Sequence, residues 1–270
     1  LKLELITQEP ASSSNKVPIL FVHGMWHSAW CWTEKFMPYF AKRGYLTHAL
    51  SLRGHGMSEG KDKLRWASID DYVDDVAQVV SKMEKAPILV GHSMGGMVLQ
   101  KYLESHKAPS AVLLASAPPN GVLKTSFRVA CRYPIPFLKA NFLLSLYPVV
   151  GSLERCRELF YSSDIPEEEL SLYFSRLQDE SYRAYLDLMF LNLPSPDSVD
   201  TRILVLGAAQ DSLVNLADIN RTAAAYNAEK KIFDSTAHNM MLEPNWRAVA
   251  DCIIEWIENI VELGDEKGLA

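Results

Sequence analysis

One serine in this chain stands between two glycines, in Gly91-His92-Ser93-Met94-Gly95. G-x-S-x-G is the pattern of a sharp strand-to-helix turn: the small residues let backbones approach, the serine takes a strained conformation with its hydroxyl exposed, and the helix N-terminus beneath favours negative charge. A serine hydroxyl attacks poorly until a base removes its proton, and the base needs an acid to orient it. Asp211 ends Gly207-Ala208-Ala209-Gln210-Asp211, and His238 ends Ser235-Thr236-Ala237-His238; of the 7 histidines, only His238 lies downstream of Asp211. Ser, Asp, His is one of the recurring triad orders. The set predicts acyl transfer, with Ser93 as nucleophile, His238 as base and then acid, and Asp211 orienting the imidazolium.

The tetrahedral intermediate of such a reaction needs two backbone N–H donors, one from the residue after the nucleophile and one from an early loop. Met94 is the first candidate. His23-Gly24-Met25-Trp26 directly follows an apolar run, and Met25 is the second, with Trp26 as a substrate contact. Asp218 and Asp234 are weaker rivals for the acid, one within a helical stretch and the other in or just past a strand. His23, His55 and His92 are expected to hold loops through hydrogen bonds, and His106 to lie on the surface.

Positioning these residues takes strands that end at one edge. Short apolar runs alternate with amphipathic segments, the pattern of a parallel sheet with crossover helices. Strands are expected at Val17–Val22, Leu46–Leu52, Pro87–Val90, Ala111–Ala115, Ile203–Leu206 and Lys231–Phe233. Helices are expected at Trp32–Arg43, from Ile69 to Met83 behind a Ser68/Asp71 capping box, at Met94–Ser105, near Leu216–Tyr226, and after Pro244 with Val249, Ile253, Trp256, Ile257 and Ile260 on one face. Ser93, Asp211 and His238 each follow a strand, where ligands bind in open α/β sheets. Between about Val122 and Leu193 no strand-like run occurs; Pro134, Pro136, Pro148 and Pro166 break helical stretches such as Glu167–Gln178 and Ser181–Phe190. The division is therefore a core of residues 1–121 and 194–270 and a helical insertion of residues 122–193. The insertion is rich in Phe127, Tyr133, Phe137, Phe142, Leu143, Leu144, Leu146, Tyr147, Phe160, Tyr161 and Met189; these are read mainly as its own core, some facing an acyl chain or aromatic acid beneath it.

Composition removes several other functions. The chain has 270 residues, 48% hydrophobic, with a formal net charge of -6 and 33 acidic against 27 basic residues. It lacks the basic footprint of a nucleic-acid binder. The run from Phe142 to Val150 is too short to span a bilayer. Asp70, Asp71, Asp74 and Asp75 read as surface charge on a helix rather than a metal site. Cys31, Cys131, Cys156 and Cys252 form no C-x-x-C pair, so metal-site spacing is absent; buried thiols in a reducing, cytoplasmic setting are expected, against one Cys131–Cys156 bridge if the protein is exported. The sequence begins at Leu1, which leaves open a removed targeting segment. The predicted chemistry uses no metal or organic cofactor.

Together, His23-Gly24, Arg53-Gly54-His55-Gly56-Met57-Ser58, Gly91-His92-Ser93-Met94-Gly95-Gly96, Asp211 and His238 resemble the α/β-hydrolase superfamily over nearly the whole chain, and within it small esterases and lysophospholipase-like enzymes. The resemblance implies a mainly parallel, doubly wound α/β sheet with an inserted helical cap over the serine. Trp26-His27-Ser28-Ala29-Trp30-Cys31-Trp32 is also similar to the oxyanion loop of plant methylesterases and hydroxynitrile lyases, although the long insertion and the Arg-Gly-His-Gly segment fit that group less well. Serine at the elbow disfavours the dehalogenases and epoxide hydrolases of the superfamily, which use Asp. The expected reaction is hydrolysis of a small-molecule carboxylic ester. A ligand-binding receptor on the same fold, a cofactor-free C–C hydrolase or lyase, a perhydrolase and an acyltransferase use the same residues.

Overall fold

The computed structural model describes residues 1–268 apart from Ala11 and Ser13, with side chains through Ile260; the last two residues of the expected 194–270 block lie outside it. Seven strands form one sheet: β1 (Glu4–Gln8), β2 (Ile19–Val22), β3 (Thr47–Ser51), β4 (Ile88–His92), β5 (Ala111–Leu114), β6 (Ile203–Ala208) and β7 (Glu229–Phe233). Their spatial order is β1-β3-β2-β4-β5-β6-β7, with β1 antiparallel to β3 and all other neighbours parallel. Strands β2, β4, β5 and β6 are buried along their whole length, which is why they read as unbroken apolar runs.

The helices are α1 (Trp30–Thr33), α2 (Phe36–Lys42), α3 (Ile69–Val80), α4 (Met94–Tyr102), α5 (Leu123–Arg132), α6 (Pro134–Leu143), α7 (Tyr147–Val150), α8 (Leu153–Phe160), α9 (Glu167–Ser175), α10 (Tyr182–Leu186), α11 (Leu216–Ala225) and α12 (Trp246–Gly268). Alternate strand residues divide between two cores, because successive side chains of a strand point to opposite faces. Phe21, Val90 and Leu206 pack with Phe36 and Phe40 of α2 and Val249 and Ile253 of α12. Leu20, Leu89 and Val205 pack with Tyr72 of α3, Val98 of α4 and Ile219 of α11. The Ser68 capping box forms: the Ser68 hydroxyl accepts the Asp71 N–H, and the Asp71 carboxylate accepts the Ser68 N–H.

Several expectations are corrected. Strand β1 was not among the expected strands; its residues alternate between exposed and half-buried, so an edge position leaves it only a weak apolar pattern. The helix expected over Trp32–Arg43 is two helices, parted at Lys35, whose φ of -133° leaves the helical range while its Nζ reaches Leu242 O at 3.0 Å and Glu169 at 2.6 Å. The stretch Ser181–Phe190 is α10 followed by a π-helical turn, Asp187–Leu191. Asp75 is buried rather than a surface charge, because Arg53 bonds it through backbone and guanidinium alike.

Residues between β5 and β6 carry α5 to α10 and, among the described residues, no strand. Phe160, Tyr161 and Leu146 are buried as expected, but Phe127, Phe142 and Leu143 are 70%, 89% and 50% exposed, since among the described residues nothing covers the outer side of α5 and α6. The four cysteines are free; Cys131 is exposed and the other three are buried, so there is no Cys131–Cys156 bridge and one thiol departs from the expected burial.

Candidate active site

Strands β3 and β4 flank β2 on opposite sides, so the chain leaves β2 and β4 at a point where the strand order reverses, and a crevice opens beyond their C-terminal ends. Ser93 stands there, between β4 and α4, at φ 53° and ψ -117°. This left-handed backbone is held in place: the Ser93 N–H donates to Leu114 O at 3.0 Å, and the Ser93 carbonyl accepts from Gly96 at 3.0 Å and Ala117 at 3.1 Å. Close approach explains the flanking glycine. A Cβ on Gly95 would lie 2.4 Å from the carbonyl oxygens of both Val22 and His23, so only glycine lets α4 press against the end of β2.

Asp211 follows β6 and His238 follows β7. The Asp211 carboxylate is fixed through Oδ1, which accepts the N–H groups of Leu213 at 2.7 Å and Val214 at 2.9 Å. Its Oδ2 accepts from His238 Nδ1 at 2.8 Å. Because a carboxylate only accepts, Nδ1 carries the proton and Nε2 presents its lone pair to Ser93 Oγ, 3.0 Å away. Both the His238 and Asp211 side chains are shut from water, which strengthens each interaction in this chain of three. The rivals are occupied elsewhere: Asp218 caps α11 and meets Arg221, and Asp234 is exposed.

The loop after β2 completes the crevice. Met25 and Trp26 line a cavity that Ser93 shares, and among the described residues neither the Met25 nor the Met94 backbone N–H has an acceptor. Gly24 is needed beside them, since a Cβ there would sit 2.8 Å from Ser93 Cβ. His23 holds the loop: Nδ1 donates to Gly24 O at 2.8 Å and Nε2 accepts the Leu52 N–H at 3.1 Å. Trp26 adopts a positive φ of 64°, is mostly buried, and accepts at its carbonyl from Gln178. His92 Nε2 donates to the carbonyl of His238 at 3.0 Å, tying the Ser93 turn to the His238 loop. Burial, and then the neighbouring histidines, push the pKa of His92 well below the ordinary value; burial and His55 do the same to His23. His106 is exposed as expected.

The cavity, about 80 Å³, is lined chiefly by apolar side chains from α5 to α8 and the loops beside Ser93, among them Val129, Phe137, Ala140, Leu146, Val149 and Leu159. Sequence reasoning missed the residues that bind the loops to one another. His27 donates through Nδ1 to Met25 O at 2.7 Å and accepts through Nε2 from the Asn239 amide at 3.1 Å. Glu180 reaches His55 Nε2 at 3.1 Å and the Tyr72 hydroxyl at 2.8 Å, and Gln178 bonds Gly54 O and Gly56 N–H. These partners come from distant parts of the chain, so no local spacing signals them. Among the described residues, no group of three or more His, Cys, Asp or Glu side chains is arranged around a common metal position, and no helix is long and apolar enough to cross a membrane.

The pattern of the alpha/beta hydrolase family matches residues 19–252. The chain is 34% identical over 248 residues to a non-heme haloperoxidase of Rhodococcus erythropolis, covering 83% of this chain and 86% of that one. It is 25% identical over 171 residues to Methylesterase 2 of Arabidopsis thaliana, covering 59% of this chain and 62% of that one. With Salicylic acid-binding protein 2 of Nicotiana tabacum it shares 34% identity over 113 residues, 40% of this chain and 42% of that one. The match thus spans less than two thirds of the length of either plant protein. Among solved structures, an esterase from Exiguobacterium antarcticum aligns with a TM-score of 0.77 at 15% identity, covering 95% of both chains. A monoacylglycerol lipase from Paleococcus ferrophilus aligns with a TM-score of 0.70 at 18% identity, covering 96% of this chain and 100% of that one. At these identities the likeness is one of fold.

Proposed function

The chain belongs to the alpha/beta hydrolase family, and we propose that within it the protein is a serine hydrolase that cleaves carboxylic esters through an acyl-enzyme. The observation that carries this reading is the His238 imidazole, which spans Asp211 Oδ2 at 2.8 Å and Ser93 Oγ at 3.0 Å. Ser93 Oγ attacks the ester carbonyl while His238 Nε2 takes its proton. Asp211, held by two backbone N–H groups, stabilises the imidazolium without accepting the proton. The backbone N–H groups of Met25 and Met94 take the oxyanion, a role worth roughly 10²–10³ in rate per donor. His238 then protonates the leaving alcohol, and water activated by the same imidazole releases the acid. Residues 122–193 act as the cap, with Trp26 as a wall of the substrate site. The apolar lining supports a small substrate with an apolar acyl or aromatic group, desolvated before attack.

Ser93→Ala tests the reading. It is expected to lower kcat on a short-chain aryl ester by about 10⁴–10⁶ and to abolish labelling by a fluorophosphonate, with the fold intact by circular dichroism. Turnover near that of the wild type overturns the assignment, and labelling of Ser93 without turnover of any ester favours a ligand-binding role. Perhydrolysis, with hydrogen peroxide in place of water at deacylation, is a second reading, favoured by the 34% identity to a haloperoxidase over 83% of the chain; peracid formation from acetate and peroxide separates the two.

A further inference from the structure

The outer sides of α5 and α6 expose large apolar side chains to water. Leu123 and Phe127 on α5, and Ile135, Leu138 and Phe142 on α6, are 57%, 70%, 70%, 68% and 89% exposed. Their i, i+4 and i, i+3, i+7 spacings put each set on one helix face. Phe190 and Leu191, also more than half exposed, stand on the π-helical turn that touches α5, where the Val122 N–H donates to Leu188 O. Helix α5 touches both α6 and this turn, and large exposed apolar side chains gathered on adjoining elements mark an interaction surface. The inner sides of the same helices, through Val129, Phe137 and Ala140, line the Ser93 cavity. The apolar face is therefore the outside of the cavity's wall.

Charge narrows the choice of occupant. The two helices carry Lys124, Arg128, Arg132 and Lys139, all exposed, and no Asp or Glu occurs from Val122 to Leu153, although the whole chain has a formal net charge of -6. Among the described residues, Arg132 pairs with Glu158, Arg128 reaches only the Leu213 carbonyl and the Thr125 hydroxyl, and Lys124 and Lys139 make no ion pair. A second copy docked face to face about a two-fold axis would set these cations against their own images. An anionic lipid surface instead attracts this face and repels the acidic remainder, which fixes the orientation of approach.

We propose that the outer face of α5 and α6 docks onto anionic phospholipid membranes, with Phe127, Leu138 and Phe142 entering the acyl boundary and Lys124, Arg128 and Lys139 meeting the phosphates. This docking requires no turnover at Ser93, so it stands apart from the ester-hydrolysis reading.

Flotation with vesicles of phosphatidylcholine, with and without phosphatidylglycerol, tests it. The wild type is expected to float with the phosphatidylglycerol vesicles, at least tenfold less with phosphatidylcholine alone, and less again in high salt. Lys124→Gln with Lys139→Gln lowers partition about 25-fold, at about fivefold per basic side chain. Phe127→Ser with Phe142→Ser lowers it at least about tenfold. Both double variants keep short-chain ester turnover and melting behaviour, which shows that they are folded, and Ser93→Ala floats like the wild type. Failure of the wild type to float with phosphatidylglycerol, or flotation of both double variants at the wild-type level, overturns the proposal. So does a wild-type dimer that Phe127→Ser with Phe142→Ser splits, without any flotation; that result assigns the face to a second copy.

Discussion

The Asn239 side-chain amide donates to His27 Nε2 at 3.1 Å, which joins the loop after β2 to the residue next to His238. His27 passes the connection on to Met25 O at 2.7 Å. The donor loop proposed for the oxyanion and the His238 loop are therefore tied together through two side chains that do not line the Ser93 cavity. Asn239→Leu is expected to lower kcat about tenfold through a displaced Met25 N–H while KM changes less than twofold. Steady-state kinetics on a short-chain ester check this; a rise in KM at unchanged kcat would mean that Asn239 shapes binding instead.

His27 also predicts an acid limb of stability. Only the neutral ring both donates to Met25 O and accepts from Asn239, and burial, opposed by the Met25 bond, pushes its pKa down from 6.5 to about 4. The unfolded chain takes up this proton near pH 6.5, and the folded protein takes it up only near pH 4. The stability this group contributes is present above pH 6.5 and lost as pH falls toward 4. Urea unfolding at about pH 7 and about pH 4.5 is expected to show a smaller loss over that interval in His27→Gln than in the wild type; equal losses refute the assignment.

His55 predicts the opposite sign. Burial lowers its pKa, but the attraction and hydrogen bond of Glu180 outweigh burial, and the net shift is upward. Both ring nitrogens face acceptors, the Arg53 carbonyl and Glu180, as an imidazolium requires. Its contribution is complete below pH 6.5 and is lost as pH rises through the raised folded-state value. Glu180→Gln, which removes one partner of a buried pair, is expected to cost about 3 kcal/mol near pH 6. The cost should shrink toward alkaline pH in chemical denaturation; a pH-independent cost would show that the Tyr72 and Ser181 bonds to Glu180 dominate.

Ala140 lines the cavity from α6 and is almost wholly buried. Ala140→Leu fills part of the space beside Ser93. Turnover of an acetyl ester is expected to change less than about threefold, while kcat/KM for longer acyl chains falls about 10- to 100-fold, the range set by one or two displaced methylenes. A panel of acyl chain lengths checks the divergence, and a uniform loss across the panel would place the acyl group elsewhere.

The strands around Ser93 were legible in the sequence because each is covered on both faces, so its apolar run is continuous. The positions of Ser93 and Asp211 follow from those runs, since each lies just past the end of one, whereas β7, which precedes His238, is mostly exposed and shows only Ile232 and Phe233 as an apolar signal. β1 escaped notice because one of its sides meets water and its pattern dilutes to Glu4-Leu5-Ile6-Thr7-Gln8. The bonds from His27 to Asn239 and from His55 to Glu180 unite positions 212 and 125 residues apart, a proximity that local periodicity does not encode. The exposure of Phe127 and Phe142 was hidden for a third reason. An apolar stripe states that a helix face avoids water, and leaves unstated what covers it.

Strands β5 and β6 pair along their length, yet the chain leaves the first at Leu114 and returns to the second only at Ile203, with α5 to α10 between them. Closing a loop costs little more when it is longer, about 0.6 kcal/mol per doubling. The sheet is accordingly almost indifferent to how much polypeptide is threaded through this one opening. Helices there can be lengthened, exchanged or recoated over generations while the strand ends that aim Ser93, Asp211 and His238 stay put. The coat and length of the segment between β5 and β6 are thus free to vary independently of the strand ends that bring Ser93, Asp211 and His238 together.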